Sequence, residues 1–291
     1  MEINIKHLNK SYGKQKALHN ICLNIPVGMY GLLGENGAGK TTLMRILATI
    51  LEPTSGDVKI NNVDIKDKKN VRKIIGYLPQ EFSVYPNMNV YSALDYIGIL
   101  AELPRKVRQE RITHLLNQVN LEQEKNKRFK NLSGGMKRRF GIAQALLNNP
   151  KVLIIDEPTA GLDPEERLRF YNLLSELASD RIILLSTHIA SDIEATCSKA
   201  AVLCSGDVIF EGDLEALLQI SSGKVYSVSF PQDELERFKR NYQVISVHQN
   251  GKDISCRFFS AENQKQNWTA CETTVEDSYM YLLSKYKAGV K

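Results

Sequence analysis

Nine consecutive residues, Gly34 to Thr42 (GENGAGKTT), hold the most concentrated chemistry in the chain and fit the spacing GxxxxGK[ST] through Gly34, Gly39, Lys40 and Thr41. Glycines at Gly34, Gly37 and Gly39 let the backbone curl so that successive N–H groups, those of Glu35, Asn36 and Ala38 among them, meet anionic oxygens. The helix that follows offers its positive N-terminal end to the same oxygens. Lys40 is placed to reach the outer phosphates of a nucleotide, while Thr41 supplies a hydroxyl for Mg²⁺ and Thr42 continues the loop into the helix. Such a loop needs a buried strand before it and a helix after it. Met29 to Leu33 (MYGLL) reads as that strand, and Thr41 to Thr49 places Leu43, Ile46 and Leu47 at helical spacing.

A second constellation lies downstream. The run VLII at Val152 to Ile155 is a strand apolar on both faces, and it delivers Asp156 and Glu157 at its C-terminal end. That is the edge at which parallel α/β sheets bind ligands. Asp156 suits a magnesium shell; Glu157, where the strand stops at Pro158, suits a general base that polarises attacking water. Strand ends often carry acids, so the pair gains its meaning from the phosphate loop upstream. The third piece is Leu132 to Met136 (LSGGM), in which Ser133 caps a helix whose first turn is Gly134 and Gly135, a second cluster of N–H donors. One nucleotide needs one phosphate loop. A second donor cluster is best explained if it faces the nucleotide of a partner copy, so that two copies sandwich two ATP molecules.

The elements that must position these residues alternate. Strands are expected at Ile3 to Leu8, Ile21 to Ile25, Ile74 to Leu78 and Ile182 to Leu185, with two short ones around Val202 and Val208. Asp57 to Ile60, Asn61-Asn62 and Val63 to Ile65 read as a hairpin. Helices are expected at Val90 to Glu102, Arg105 to Val119, Gly135 to Asn149, Pro164 to Leu177 and Ile189 to Thr196. The pattern predicts an α/β fold: a P-loop core with a mostly parallel sheet, an antiparallel β-subdomain, an inserted helical subdomain over about 87–149, and a small α+β appendage. Ser221-Ser222-Gly223 marks the expected boundary, giving residues 1–222 and 223–291, with a closing helix at Val275 to Tyr286.

These motifs, in this order over Ile3 to Ile220, resemble the nucleotide-binding ATPase subunit of ATP-binding cassette (ABC) transporters. The resemblance implies that Tyr12 stacks on adenine, that Gln80 joins the Mg²⁺ and water to the membrane partner, and that Asp163 (in AGLDP) contacts the opposite site. It also implies that His188 (in STH) holds the γ-phosphate; His188 follows a buried strand at the same sheet edge as Glu157. The implied cofactors are ATP and Mg²⁺, and the implied partners are a second ABC ATPase subunit, forming a homodimer, and an integral membrane permease encoded separately. Where the family usually has glutamine after LSGG, this chain has Met136, which removes any amide contact there. GMKRR, AGLDP and a short C-terminal extension look most similar to subunits of drug, antibiotic or peptide exporters.

Bulk properties bound the alternatives. The chain has 291 residues, 43% of them hydrophobic and 24% charged, enough for one sizeable α/β domain and something smaller. No apolar run is long enough to span a bilayer and the first ten residues hold no secretory core, so a cytoplasmic protein on the inner face of the membrane, attached through the permease, is expected. Five scattered cysteines suit reduced thiols. Net charge is +5, with basic runs at Lys66 to Lys73, Lys125 to Lys130 and Lys137 to Arg139. Solvated faces or an anionic membrane surface explain such modest runs at least as well as nucleic acid does, and no nucleic-acid partner is expected. The competing readings are a soluble ABC ATPase acting on nucleic acid or ribosomes, which typically carries two cassettes or a long coiled-coil insertion, and a kinase or GTPase, which has no use for LSGGM.

Overall fold

A computed structural model describes residues 1–159, 162–251, 253–260 and 267–289. The N-terminal half contains β1 (Glu2–Tyr12), β2 (Gln15–Pro26), β3 (Gly28–Leu33), α1 (Lys40–Leu47), β4 (Ser55–Ile60), β5 (Val63–Asp64), α2 (Lys68–Ile74) and β6 (Ile75–Leu78). Helices α3 (Val90–Leu100), α4 (Arg105–Gln118) and α5 (Gly134–Leu146) follow. The chain then alternates through β7 (Val152–Asp156), α6 (Pro164–Leu177), β8 (Ile182–Thr187), α7 (Ala190–Thr196), β9 (Lys199–Cys204), β10 (Asp207–Asp213) and α8 (Leu214–Gln219). It closes with β11 (Val225–Pro231), α9 (Leu235–Asn241), β12 (Gln243–Asn250), β13 (Asp253–Phe259), β14 (Thr269–Ala270) and α10 (Val275–Gly289).

Six strands form the central sheet in the order β10-β9-β3-β8-β7-β6, parallel from β9 to β6 with β10 antiparallel at the edge. Both faces are covered, which is why its strands read as continuous apolar runs. Leu153, Ile155, Ile183 and Leu185 point into a core shared with α3 to α7, while Ile154, Ile182, Leu184 and Leu203 point into one shared with α1 and the second sheet. That second sheet, β2-β1-β4-β5, is antiparallel throughout. The expected hairpin is its β4–β5 pair, closed by Asn61 and Asn62 at φ 48 and 65, the two positive values of a type I′ turn.

The expected α/β architecture is therefore present, with differences in detail: β2 begins at Gln15, Ile74 ends a helix, and a helix, α8, follows β10. The basic run from Lys66 holds a helix, α2, capped by Asp67, which accepts from the Asn70 N–H at 3.3 Å. Strand β1 extends well past Leu8 because it pairs with both β2 and β4. The closing helix lies on the main body: Val275, Tyr279 and Leu283 join the core cluster that contains Ile193, Cys197 and Leu217. The smaller sheet, β12-β13-β11-β14, has a separate aromatic core of Tyr226, Phe258 and Trp268 against Phe238 and Tyr242. Several basic side chains are paired with acids of their own surface, Lys68 with Glu52, Lys125 with Glu122 and Lys127 with Glu124.

Candidate nucleotide site

The strand order sets the site. Running along the C-terminal edge of the sheet, β3 leads into Gly34 to Lys40, β8 into His188, β7 into Asp156 and Glu157, and β6 into Pro79 and Gln80. The loops after β3, β7 and β6 thereby open onto one cleft of about 660 Å³, and His188 adjoins it through Glu157. Tyr12, Asn36, Gly37, Gly39, Lys40, Thr41, Thr42, Gln80 and Glu157 line it. So do Gln15, Lys16, Ala17 and Ser205, which sequence reasoning did not single out. They come from the start of β2 and from the β9–β10 turn, and no local motif marks them.

The loop is held in a shape that glycine permits. Gly39 has φ 108, and a Cβ there would lie 2.8 Å from the Ala17 carbonyl oxygen. Lys40 is 4% exposed and folds back over its own loop, donating to the Gly34 carbonyl at 2.6 Å and the Glu35 carbonyl at 3.2 Å. Its ammonium also lies 3.3 Å from Glu157 Oε1. Burial pushes the Lys40 ammonium below its ordinary range, and the Glu157 and Asp156 carboxylates only partly oppose this. A cation in that position gains from any stronger anion that enters, and a polyphosphate is one.

Glu157 is the centre of the cluster. Lys40 approaches Oε1, His188 Nδ1 lies 3.4 Å from the same oxygen, and Gln80 Nε2 donates to Oε2 at 3.3 Å. Its backbone sits at φ 46, a left-handed conformation unusual for glutamate. The Ser186 carbonyl and hydroxyl both accept from its N–H, at 3.1 and 3.2 Å, and hold that kink. The same hydroxyl donates to Asp156 Oδ1 at 2.5 Å. Asp156 is fully buried, and its Oδ2 has no hydrogen-bond partner among the described residues. A buried carboxylate oxygen without a donor is expensive, and a divalent cation would satisfy it; with the oxygens of Thr41 and Gln80, which line the cleft, the residues present fit Mg²⁺.

The remaining predicted residues stand elsewhere. Ser133, Gly134, Gly135 and Asp163 do not line this cleft. Ser133 caps α5, accepting from the Met136 N–H at 3.2 Å, and both Ser133 and Gly134 are exposed. Asp163 caps α6, accepting from the Glu166 N–H at 2.8 Å. Gly135 lets the two helices close, since a Cβ there would stand 2.8 Å from the Glu166 carboxylate, which pairs with Arg139. Met136 packs against the main core rather than toward solvent. Gly34 and Ala38 are buried behind the loop, and the Glu35 carboxylate turns to Lys287 of α10 at 3.1 Å. Ala160 and Gly161 of AGLDP lie outside the described residues.

Known proteins resemble this chain in sequence and in fold. The family model described as ABC transporter matches residues 18–160. An ABC transporter ATP-binding protein of Bacillus subtilis, YxlF, is 38% identical over 246 residues, covering 84% of this chain and 82% of its own. The Nod factor export ATP-binding protein I of Burkholderia orbicola is 33% identical over 275 residues, covering 89% and 87%. Among solved structures, an ATP-binding subunit of an ABC transporter superposes with TM-score 0.68 at 29% identity, over 75% of this chain and 92% of that one. The bacterial ABC transporter cassette MJ0796, solved as a dimer and as a post-hydrolysis dimer bound to ADP and Pi, gives TM-score 0.67 at 28% identity, over 73% and 98%.

Proposed function

Since the chain belongs to the ATP-binding subunits of the ABC transporter family and is an ATPase, we propose that it energises a separately encoded permease, as an exporter, through a homodimer that sandwiches two MgATP. The observation that carries the catalytic part is the convergence of Lys40, His188 and Gln80 on the single carboxylate of Glu157, beside the unpartnered Asp156 Oδ2. In this reading Lys40 and the loop N–H groups of Gly34 to Thr42 grip the phosphates, and Tyr12 stacks on the adenine. When the Lys40 charge is engaged by phosphate, Glu157 is released to accept the proton of the attacking water. His188 steadies the γ-phosphate at the same edge. Thr41, Asp156 and Gln80 would hold Mg²⁺, which when bound would supply charge neutralisation and polarise phosphoryl oxygens.

Ser133, Gly134, Gly135 and Asp163 serve the nucleotide of the second copy. The exposure of Ser133 and Gly134 at the N-terminus of α5 and of Asp163 at that of α6, away from this copy's own cleft, supports that assignment. The partner across the membrane has a candidate seat immediately after Gln80. A groove of about 360 Å³ is lined by Tyr85, Met88, Tyr96 and Ile97, with Ile99 and Leu100 exposed nearby. Apolar side chains left in water at that density suit a short helix of a permease. No helix among the described residues is long and apolar enough to cross a membrane, so in this reading the path belongs to the permease and the subunit sits on its cytoplasmic face. The name of the Burkholderia orbicola relative, aligned over 89% of this chain, supports export. The division into residues 1–222 and 223–291 is kept as a proposal, with α10 at the seam.

Glu157→Gln tests the reading. It retains shape but cannot take a proton, so hydrolysis should fall by roughly 10² to 10⁴ while ATP binding persists. The variant should accumulate as an ATP-held dimer on size-exclusion chromatography, because a ligand bound only by the closed state stabilises it by mass action. Adding Ser133→Arg should return it to monomer with ATP binding intact. A Glu157→Gln protein that binds MgATP and hydrolyses it at the wild-type rate would remove Glu157 from the chemistry.

A further inference from the structure

Asp192, the third residue of α7, is 1% exposed and faces the ends of β7 and β8. A carboxylate withdrawn from water is tolerated only when it is paired and hydrogen-bonded, and the identity of its partners is informative. Its Oδ2 accepts from Thr159 Oγ1 at 3.0 Å and from Thr187 Oγ1 at 3.0 Å. Its Oδ1 lies against the guanidinium of Arg167 on α6. Thr159 stands two residues after Glu157, and Thr187 immediately precedes His188. The Thr187 hydroxyl also accepts from the Ile189 N–H at 3.0 Å, closing the turn that carries His188. One buried oxygen therefore bridges the two loops that present Glu157 and His188, whose side chains stand 3.4 Å apart. Ser186 pins Glu157 from the strand side, through its N–H, and Asp192 pins the same loop from the helix side, through Thr159.

Arg167 extends the connection. It lies one turn into α6, the helix capped by Asp163, and its guanidinium is over the Tyr171 ring at 5.9 Å. The carboxylate thus meets three successive segments of the chain, the loop after β7, helix α6 and the end of β8, and joins them at one point. We propose that Asp192 is a positioning residue for hydrolysis: it touches no nucleotide, and it holds the Glu157 and His188 loops in mutual register while tying both to the helix that begins at Asp163. The proposal rests on the assignment of Glu157 and His188 as the groups acting on water and the γ-phosphate.

The test is steady-state ATP hydrolysis by the full chain carrying Asp192→Asn, with the thermal midpoint measured in parallel. Asparagine preserves the volume but gives up one acceptor and the charge that faces Arg167. A displacement of about 1 Å at the reacting groups should lower kcat ten- to a hundredfold. KM for ATP should stay within about threefold, because the phosphate loop and Tyr12 are untouched. A purely structural role would instead lower the midpoint and leave kcat per folded molecule unchanged, which overturns the proposal. Thr187→Val and Thr159→Val each delete one donor and leave the carboxylate in place, so they carry the test if Asp192→Asn does not fold. Each should lower kcat, and Thr187→Val added to Asp192→Asn should cause little further loss; full kcat in both threonine variants, or fully additive losses in the double variant, sinks the idea. Glu157→Gln separates the premises: if it retains hydrolysis the assignment beneath the proposal has failed, whereas an inactive Glu157→Gln with an active Asp192→Asn refutes the positioning role alone.

Discussion

Lys40 is a cation held almost out of water by three oxygen contacts, and its lowered proton affinity shows that these do not fully compensate its burial. Removing it should do two things at once: withdraw the side-chain charge that meets the β- and γ-phosphates, and leave the buried Glu157 without its cationic partner Lys40, with only His188 and Gln80 beside it. Lys40→Ala should therefore weaken ATP binding more than any other single change in the loop, and separately cost about 3 kcal/mol of folding stability, the lower end for breaking a buried pair. Tyr12 provides the contrast, being 48% exposed with Lys10 5.2 Å from the ring centre. Its substitution by alanine should weaken binding by about 1 to 3 kcal/mol, the scale of a base stacked on an aromatic ring. Equal losses in a single ATP titration series would break the distinction between the two roles. Residues of this kind were legible in the sequence because their types are rare in combination: a glycine loop ending in Lys-Thr, or two acids after four apolar residues. Gln15, Lys16, Ala17 and Ser205 were not, because they reach the cleft only through the pairing of β1 with β2 and of β9 with β10.

Elements were legible where burial imposed a pattern. Strand β7 reads as one unbroken apolar run because both faces are covered, and α6 begins at the proline expected to open it. Helix α2 was hidden because Val71 is its only fully buried residue, so no apolar stripe appears in the sequence. Strand β12 was hidden for the same reason, being half-buried or exposed along its whole length as an edge strand. Helix α10 was legible, and its start shows why. Thr274 and Asp277 form a reciprocal cap, the Thr274 N–H donating to Asp277 Oδ2 at 2.8 Å and the Asp277 N–H donating to Thr274 Oγ1 at 3.2 Å. Arg257 of β13 donates to both oxygens of the same carboxylate, at 2.9 and 2.5 Å. Burial pushes the Asp277 carboxyl up, but Arg257 and the Thr274 N–H and hydroxyl outweigh it and hold it below the usual carboxylate range. A depressed value in the folded state means the stabilisation is fully present above the unfolded value, about 4, and is lost as pH falls through the depressed one. The thermal midpoint of wild type should thus exceed that of Asp277→Asn by a constant margin from pH 7 to about pH 5, and the margin should shrink below pH 4. A margin that does not change down to pH 3 would show that the charge of Asp277 contributes nothing.

On the scale of the whole molecule, the chain leaves the central sheet through α8, builds a second small sheet, and returns to the body it left. Helix α10 packs against α7 and α8, with the Ser221 and Ser278 hydroxyls 2.8 Å apart at the crossing. Its far end reaches the nucleotide edge, where Tyr286 donates to Asp207 at 2.5 Å and Lys287 pairs with Glu35 of the phosphate loop at 3.1 Å. Sequence reasoning anticipated the helix but not its docking, because a helix alone does not say which surface its apolar face will meet. These contacts differ in weight. The Lys287–Glu35 pair is more than half exposed on both sides, so screening leaves it between about 0 and 1 kcal/mol. Leu283 is buried in the main core, and Leu283→Ala should cost about 2 to 5 kcal/mol through lost transfer energy and the cavity left behind. Removal of residues 224–291 should exceed either, since it uncovers Ile193, Cys197 and Leu217 together. Urea unfolding of the four proteins orders them: wild type and Lys287→Ala nearly superposed, Leu283→Ala well below, and the truncation lowest. Among the described residues Glu35 is the assigned nucleotide ligand that bonds to α10, through Lys287, so ATP affinity measured well below each unfolding midpoint should stay near wild type in all four. A truncation as stable as the full chain would mean that α10 is a passenger on the ATP-binding body, while a stable truncation that had lost ATP affinity would make the helix part of the nucleotide site itself.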